Sequence, residues 1–402
     1  VFNPYDPAVM ADPVPTYAHM REIEPVHRNL VGGWTLFRYD DAQALLRDPR
    51  TSVEDRNAKP SLRTEMLERM GESREGGQRA ILNLDPPDHT RLRRLVSKSF
   101  TPSAIEPLRA VTQRFVDEAL HAAEQRVRDG GTFELIDDLA FPVPFLVISS
   151  MLGMPTTRAD ELREWSKVLT KTLEPTVSLD DLDRADQAFE GLIPFLNEVI
   201  ADRRKNLGGD MLSALIAAEE AGDKMTTTEL VTFVVLLYVA GHETTVNLIG
   251  NSVLALLRSP DQLAWAREHG LDSNAVDELL RFDGPVQHTV RVPLKPVQFR
   301  VGERVIDVAA GERVLTSLGA ASHDPSVFDE PHRLNLRRAN ANKHLGFAAG
   351  IHYCLGQALA RAELQEALPL LARRMPNLRL DGDTAWKPDG VGIFGPANMP
   401  IT

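Results

Sequence analysis

Residues 347 to 356 read Phe-Ala-Ala-Gly-Ile-His-Tyr-Cys-Leu-Gly. Cys354 is the only cysteine among 402 residues. It sits between two glycines, beside a histidine, just ahead of residues 357–374, whose pattern is helical. One cysteine excludes an intrachain disulfide, which fits a reducing compartment. A thiol before a helix is placed to ionise, because the free N–H groups and positive dipole end lower its pKa. Gly350 and Gly356 allow tight turns and close backbone approach to something flat. The residue types leave four roles open: nucleophile, redox sensor, core filler or metal ligand. A nucleophile wants a general base nearby. His352 is close in sequence, but no cysteine-hydrolase signature surrounds Cys354.

The rest of the chain narrows the class. It is 43% hydrophobic and 25% charged with a net charge of −12, a globular composition long enough to bury a large core. The acidic balance argues against a nucleic-acid partner. The opening VFNPYDPAVM has no basic segment followed by an apolar one, so no signal peptide is expected. The longest strongly apolar run, residues 230–242, is too short to span a bilayer. A soluble, cytoplasmic protein is expected.

Helical patterns dominate: residues 40–47, 89–100, 103–128, 142–152, 156–171, 180–206, 210–221, 226–258, 260–268, 273–282 and 357–374. Strand signals are confined to 26–28, 33–37 and the alternating stretch 286–315, broken by Gly and Pro. The expected class is mainly α with a small β region, in one integrated unit.

The longest of these helices opens on Thr226-Thr-Thr-Glu229, a capping-box pattern, and ends at Ser259-Pro260. About 32 residues give roughly 48 Å at 1.5 Å each, so this helix must cross the core. Its middle reads Ala240-Gly-His-Glu-Thr-Thr245. Gly241 costs about 0.5–1 kcal/mol relative to Ala, and the two threonines are β-branched and can bond back to the preceding turn. A core helix weakened at its centre is either harmlessly kinked or a functional site. Leu236, Ala240 and Thr244 share a face at i, i+4, i+8, with Glu243 about 100° away. His242 is expected to be packed or partly solvated rather than a ligand. His242-Glu243 begins an HExxH pattern, but the fifth residue is Val246, so the second zinc ligand is missing.

Two further patterns are weak alone. Glu278 and Arg281 stand at i, i+3 and can pair, although such spacing is common by chance. In Asp85-Pro-Pro-Asp-His-Thr-Arg-Leu-Arg-Arg94, His89 and Arg93 share a helix face. Two cations on one face suit a carboxylate or phosphate, or make a solvated basic helix.

A single thiolate holds a metal when a macrocycle supplies the other ligands, which is the arrangement of haem. Together and in this order, the four motifs resemble the cytochrome P450 superfamily, its soluble bacterial branch in particular. The family's F-G-x-G-x-H-x-C-x-G signature is matched by Phe347, Gly350, His352, Cys354 and Gly356, with Ala348 in place of the first glycine. The threonine motif is complete from Ala240 to Thr245, and the ExxR motif is complete at Glu278 and Arg281. Arg333, in Glu-Pro-His-Arg-Leu, looks like the third member of that ion-pair group. Ser322-His-Asp-Pro325 stands where the family often has Asn-Arg-Asp-Pro.

The resemblance implies a single cytochrome P450 fold, a roughly triangular helical body with a long central helix. Its small β-rich part would lie mainly in 1–55 and 286–320, and its helical, haem-binding part mainly in 85–280 and 321–402. It implies haem b, with Cys354 as the metal ligand and Phe347 and Ala348 packed beside it. Backbone N–H groups near Leu355 and Gly356 would bond the sulfur. His89, Arg93, Arg291 and His352 would hold the propionates. Ala240, Gly241 and Thr244 would border the oxygen pocket, with Glu243 and Thr244 delivering protons. Ile81, Leu82, Leu236, Val239, Ala240, Val286, Gln287, Thr289, Val290, Ile393 and Phe394 would line a largely apolar substrate pocket, and the 52–84 loop would form a lid.

The implied activity is a monooxygenase using O2 on a mid-sized apolar organic molecule, often a secondary metabolite. No flavin or nicotinamide domain fits in the chain, so electrons would come from a separate ferredoxin or flavodoxin with its NAD(P)H reductase. Arg94, Lys98, Arg337, Arg338, Lys343 and Arg361 are candidate cations for docking it. A monomer with neither nucleic acid nor membrane is expected. The alternatives are an H2O2-driven peroxygenase and a non-catalytic haem sensor, and an intact Glu243–Thr244 pair argues against both.

Overall fold

The computed structural model describes residues 2–402 except 4–5, 7–8, 10, 30–31, 61–78, 174–177, 221–222 and 388–391. The chain divides into two compact units: Val1–Leu92 with Val286–Arg333 and Lys343–Cys354, and Arg93–Pro285 with Leu334–Asn342 and Leu355–Thr402.

The first unit holds the longer strands. Thr51–Ser52, His288–Pro293, Val314–Ser317, Trp34–Leu36 and Val26–Arg28 form a five-stranded sheet, adjacent in that order. Only Trp34–Leu36 and Val314–Ser317 pair in parallel. A separate hairpin, Val297–Val301 with Arg304–Val308, turns on Gly302-Glu303. Gly302 supplies the positive φ, +60°, that a two-residue turn of this kind demands at its first position. Inward alternation puts Val297, Phe299 and Val308 into one apolar cluster with Val26, Leu36, Leu45 and Val314. Helices Val14–Ile23 and Tyr39–Arg47 belong to this unit.

The second unit is helical. Its long members are Leu108–Arg128, Pro142–Leu152, Ala159–Thr170, Leu179–Lys205, Pro260–His269, Ser273–Asp283 and Gln357–Arg374. The central helix runs over Thr227–Leu257. It starts where the capping box predicts, with Thr226 Oγ1 accepting from Glu229 N–H at 3.1 Å and Glu229 Oε2 accepting from Thr226 N–H at 2.8 Å. It is long and apolar enough to cross a bilayer by length and composition, but most of its apolar stretch is buried inside the protein. It is a core helix, not an exposed apolar one.

Three departures from the sequence reading have a clear local cause. The expected helix 103–128 is two, Pro102–Ile105 and Leu108–Arg128, interrupted at Pro107. The expected helix 210–221 stops at Ala217, before a short hairpin pairs Glu219 with Lys224. Val14–Ile23 is a helix the periodicity did not signal; its two prolines, Pro13 and Pro15, fall at its start, where proline is tolerated.

Candidate functional site

In the first unit the cysteine loop is closed by its own backbone. Cys354 N–H donates to Phe347 O at 3.0 Å, Tyr353 N–H to Gly350 O at 3.1 Å and Ala348 N–H to Leu345 O at 2.7 Å. Cys354 is partly accessible. Gly350 has φ +75°, and a Cβ there would meet Leu46 O at 2.3 Å, so only glycine fits. Ala348 also has a positive φ, +57°. The loop thus keeps the left-handed turn at the one position where alanine replaces the signature's glycine. Phe347 is buried, with its ring 5.4 Å from His344 and 6.1 Å from Tyr353.

The expected cations are partly assembled beside this loop. His89 is buried, its ring 4.2 Å from that of His352. Arg291 is 4% exposed and donates to Val290 O at 2.8 Å and Thr289 Oγ1 at 3.3 Å. Among the described residues no carboxylate lies within ion-pair distance of it. Burial pulls its pKa down to about 10, with the field of Asp85 offsetting only part. A buried guanidinium so placed suits an anion. Arg93 lies one turn beyond His89 on the helix Asp88–Ser97.

In the second unit the middle of the central helix departs from α geometry. Leu237–His242 is a π-helical turn, a feature that recurs at functional sites. Thr244 Oγ1 donates to Ala240 O at 2.8 Å and Thr245 Oγ1 to Gly241 O at 3.1 Å, so both threonines bond back across this turn. Val235, Leu236, Leu237, Ala240, Gly241 and Thr244 stay partly accessible in the middle of a mostly buried helix. His242 is fully buried, 4.4 Å from the Phe141 ring, with Nδ1 3.3 Å from Ser166 Oγ. It is packed, as expected, and not solvated. Burial lowers its pKa to about 4, with Glu243 opposing.

Glu243 is not an open carboxylate. Lys387 bonds its Oε1, and Asn247 Nδ2 lies 3.0 Å from its carbonyl and 3.5 Å from Oε1. Burial alone would raise its pKa, but the Lys387 ammonium and its neighbours hold it below the usual carboxylate range. Sequence spacing gave no hint of Lys387, 144 residues away.

Glu278 and Arg281 pair as expected, fully buried, with Nε to Oε2 at 2.6 Å and Nη2 to Oε1 at 3.0 Å. The third member is corrected. Arg338 Nε reaches Glu278 Oε2 at 3.0 Å, whereas Arg333 is two-thirds exposed beside Glu330. The cause is the turn after Arg333: Asn335 N–H bonds Glu278 Oε1, Leu336 N–H bonds Gln262 Oε1, and Arg338 N–H bonds Asn335 O, each at 2.9 Å. That turn folds the Arg338 side chain back onto Glu278. Arg338 therefore leaves the set of surface cations. Arg361 is engaged as well, with Asp277 at 2.7 Å. Arg94 faces Asp223 at 3.4 Å, and Lys98, Arg337 and Lys343 are exposed.

The expected substrate wall is mixed. Ile81, Val239, Ile393 and Phe394 are buried, and Leu82 is 45% exposed. Val286 packs against the cluster of Tyr39, Leu46, Phe328 and Leu345. Gln287 is buried, its Oε1 accepting from Tyr17 O–H at 3.0 Å, which turns it into the first unit's own core. Thr289 and Val290 are half-buried on their strand. Most of the expected 52–84 lid, residues 61–78, lies outside the described residues.

The residues present fit haem b. The first unit offers one accessible cysteine on a loop closed by its own backbone bonds and a buried arginine suited to a propionate. Comparison with known proteins agrees. A sequence model described as Cytochrome P450 matches residues 33–269 and 271–376. The chain is 40% identical to Cytochrome P450 107B1 of Saccharopolyspora erythraea, over 95% of this chain and 93% of that one. It is 38% identical to the cytochrome P450 monooxygenase PikC of Streptomyces venezuelae, over 97% and 91%. The crystal structure of epothilone D-bound Cytochrome P450epoK superimposes with a TM-score of 0.89 at 31% identity, over 100% of this chain and 98% of that chain. Family members bind haem b through a cysteine thiolate, and Cys354 is the one cysteine here. The chain belongs to the cytochrome P450 family and is a cytochrome P450 enzyme with that family's fold.

Proposed function

We propose that this enzyme is a monooxygenase that places one oxygen atom of O2 into a mid-sized, largely apolar organic molecule and reduces the other to water. The observation that carries this reading is the intact acid and alcohol, Glu243 and Thr244, immediately after the π-turn. Haem b, when bound, supplies the iron at which O2 is reduced. Two electrons and two protons are consumed per turnover, so water and one hydroxylated product leave.

Each residue then has a defined task. The Cys354 thiolate would ligate the iron, and the bond donated by Cys354 N–H to Phe347 O closes the loop that carries it. Arg291, His89, His352 and Arg93 would neutralise the propionates. Ala240 and Gly241 keep the helix surface low where O2 must fit. Thr244 presents a hydroxyl at that surface, and Glu243 governs proton supply behind it. A protonated donor held in place contributes on the order of 10²–10⁴ in rate.

Electrons come from a separate ferredoxin or flavodoxin and its reductase. Exposed Lys98 and Arg337 suit an acidic partner. Ile393, Phe394 and Val239 supply apolar contact, and the epothilone D bound by one solved relative supports a secondary metabolite of similar character. The protein works in the cytoplasm as a monomer.

NAD(P)H consumption with electron partners, measured against product formed, tests the reading. Product in proportion to NAD(P)H and O2 supports it. Turnover with H2O2 alone and no response to NAD(P)H would make the enzyme a peroxygenase, and no product from either would leave a sensor.

A further inference from the structure

Glu243, Asn247 and Asn251 stand at i, i+4, i+8 on the central helix, and all three are buried. This polar stripe faces the C-terminal hairpin in which Ala385–Trp386 pairs with Pro396–Asn398. Asn251 Nδ2 donates to Phe394 O at 3.2 Å and to Asp283 O at 3.1 Å. Gly395 lies so close to Asn247 that a Cβ there would meet its Oδ1 at 2.3 Å. Phe394 stacks on Trp386 with ring centroids 4.6 Å apart. Lys387 follows that tryptophan and bonds Glu243. A buried carboxylate, its counter-cation, one amide bonded across and one amide packed against Gly395 thus join one helix face to one hairpin.

We propose that Lys387 is a positioning residue. From the C-terminal hairpin it holds the Glu243 carboxylate in a fixed, charged state, so that Glu243 takes up a proton only when the hairpin releases it. The proposal rests on the proton-supply reading of Glu243 given above. Because Ile393 and Phe394 ride on the same hairpin, a substrate pressing on them acts on Lys387 through the stacked Trp386. Substrate occupancy is thereby tied to proton supply.

Other charges do not replace Lys387. His242, on the same helix, is packed against Phe141 and Phe145. Arg163, from the helix Ala159–Thr170, acts on His242 and faces Asp137 at 4.0 Å. Glu363, from the helix Gln357–Arg374, faces Thr245 instead. Burial is the largest influence on Glu243 and pushes its pKa up; Lys387, with smaller help from His242 and Asn247, turns the balance down, and removing the lysine shifts the carboxyl toward its neutral form.

The test uses haem-loaded wild type, Lys387→Met, Lys387→Arg and Lys387→Met/Glu243→Gln. Infrared difference spectra across a pH titration read the carboxylic-acid carbonyl stretch. A new band at neutral pH in Lys387→Met, absent from wild type, Lys387→Arg and the double variant, is expected. With a surrogate ferredoxin and reductase, Lys387→Met should divert electrons to H2O2 and lose product on the order of tenfold, with the pH profile moved to the alkaline side. Lys387→Arg should restore wild-type coupling and profile, which a merely structural role would not require. The proposal is overturned if Lys387→Met shows no new band, or if its pH profile matches wild type. If Lys387→Met does not fold, Lys387→Arg decides: a wild-type infrared titration supports the pairing, and a shifted Glu243 band contradicts it. A wild-type reduced-CO spectrum in every variant separates this outcome from failure of the haem reading.

Discussion

Ala348 adopts φ +57° two residues from Gly350 at +75°. An L-residue in this region is strained, and a compatible glycine relieves it by about 1 kcal/mol. Ala348→Gly should therefore raise the thermal midpoint without changing the haem spectrum. Gly350→Ala should do the reverse and more, because its Cβ collides with Leu46 O. Calorimetry on the two variants checks both signs. The cysteine loop was legible in the sequence because its residue types are dictated by local backbone geometry. Arg333 was misread because its motif offers several arginines within six positions. Which of them turns inward depends on backbone bonds made to Glu278 and Gln262, which no spacing rule encodes.

The central helix shows how an element's own sequence can announce a site. A capping box, an apolar run and a proline stop gave its ends, and Gly241 with two threonines marked the place where the π-turn forms. Its partners were not legible. Lys387 and Gly395 come from a hairpin more than 140 residues away, and they meet Glu243 and Asn247 only through tertiary packing. The buried group around Glu278 is the counterpart on the helix Ser273–Asp283. Two guanidiniums and a backbone N–H converge on one fully buried carboxylate. Removing the carboxylate's charge leaves two buried cations, at a cost of about 3–5 kcal/mol. Glu278→Gln should be severely destabilised in urea unfolding, Arg338→Met nearly as much, and Arg333→Met within about 0.5 kcal/mol of wild type. A large effect at Arg333 and none at Arg338 would restore the sequence-based assignment.

For the whole protein, two buried groups set opposite pH limits. His242 has its pKa lowered from 6.5 to about 4 by burial. The unfolded chain then binds a proton that the folded chain refuses, so its contribution to stability is present above pH 6.5 and lost as pH falls toward 4. Glu363 is 1% exposed, and burial raises its pKa from 4.5 to about 8, with only the Thr245 hydroxyl opposing. The folded state keeps a proton that the unfolded state gives up. That contribution is complete below pH 4.5 and lost as pH rises through 8. Glu363→Gln should flatten the fall of thermal midpoint with pH over this window, and an unchanged slope would contradict the assignment. The sequence pointed to a packed or partly solvated His242, but neither its lowered pKa nor the burial of Glu363 was legible, since both depend on tertiary packing that composition does not encode.

The account rests on Cys354 as the thiolate that binds haem. The most direct measurement is the absorption spectrum of the dithionite-reduced protein with and without CO, beside Cys354→Ser. A red-shifted Soret band of thiolate type, lost in Cys354→Ser, is the predicted result. A band at the position typical of nitrogen ligation in correctly folded wild type, or a thiolate-type band that survives in Cys354→Ser, would contradict it.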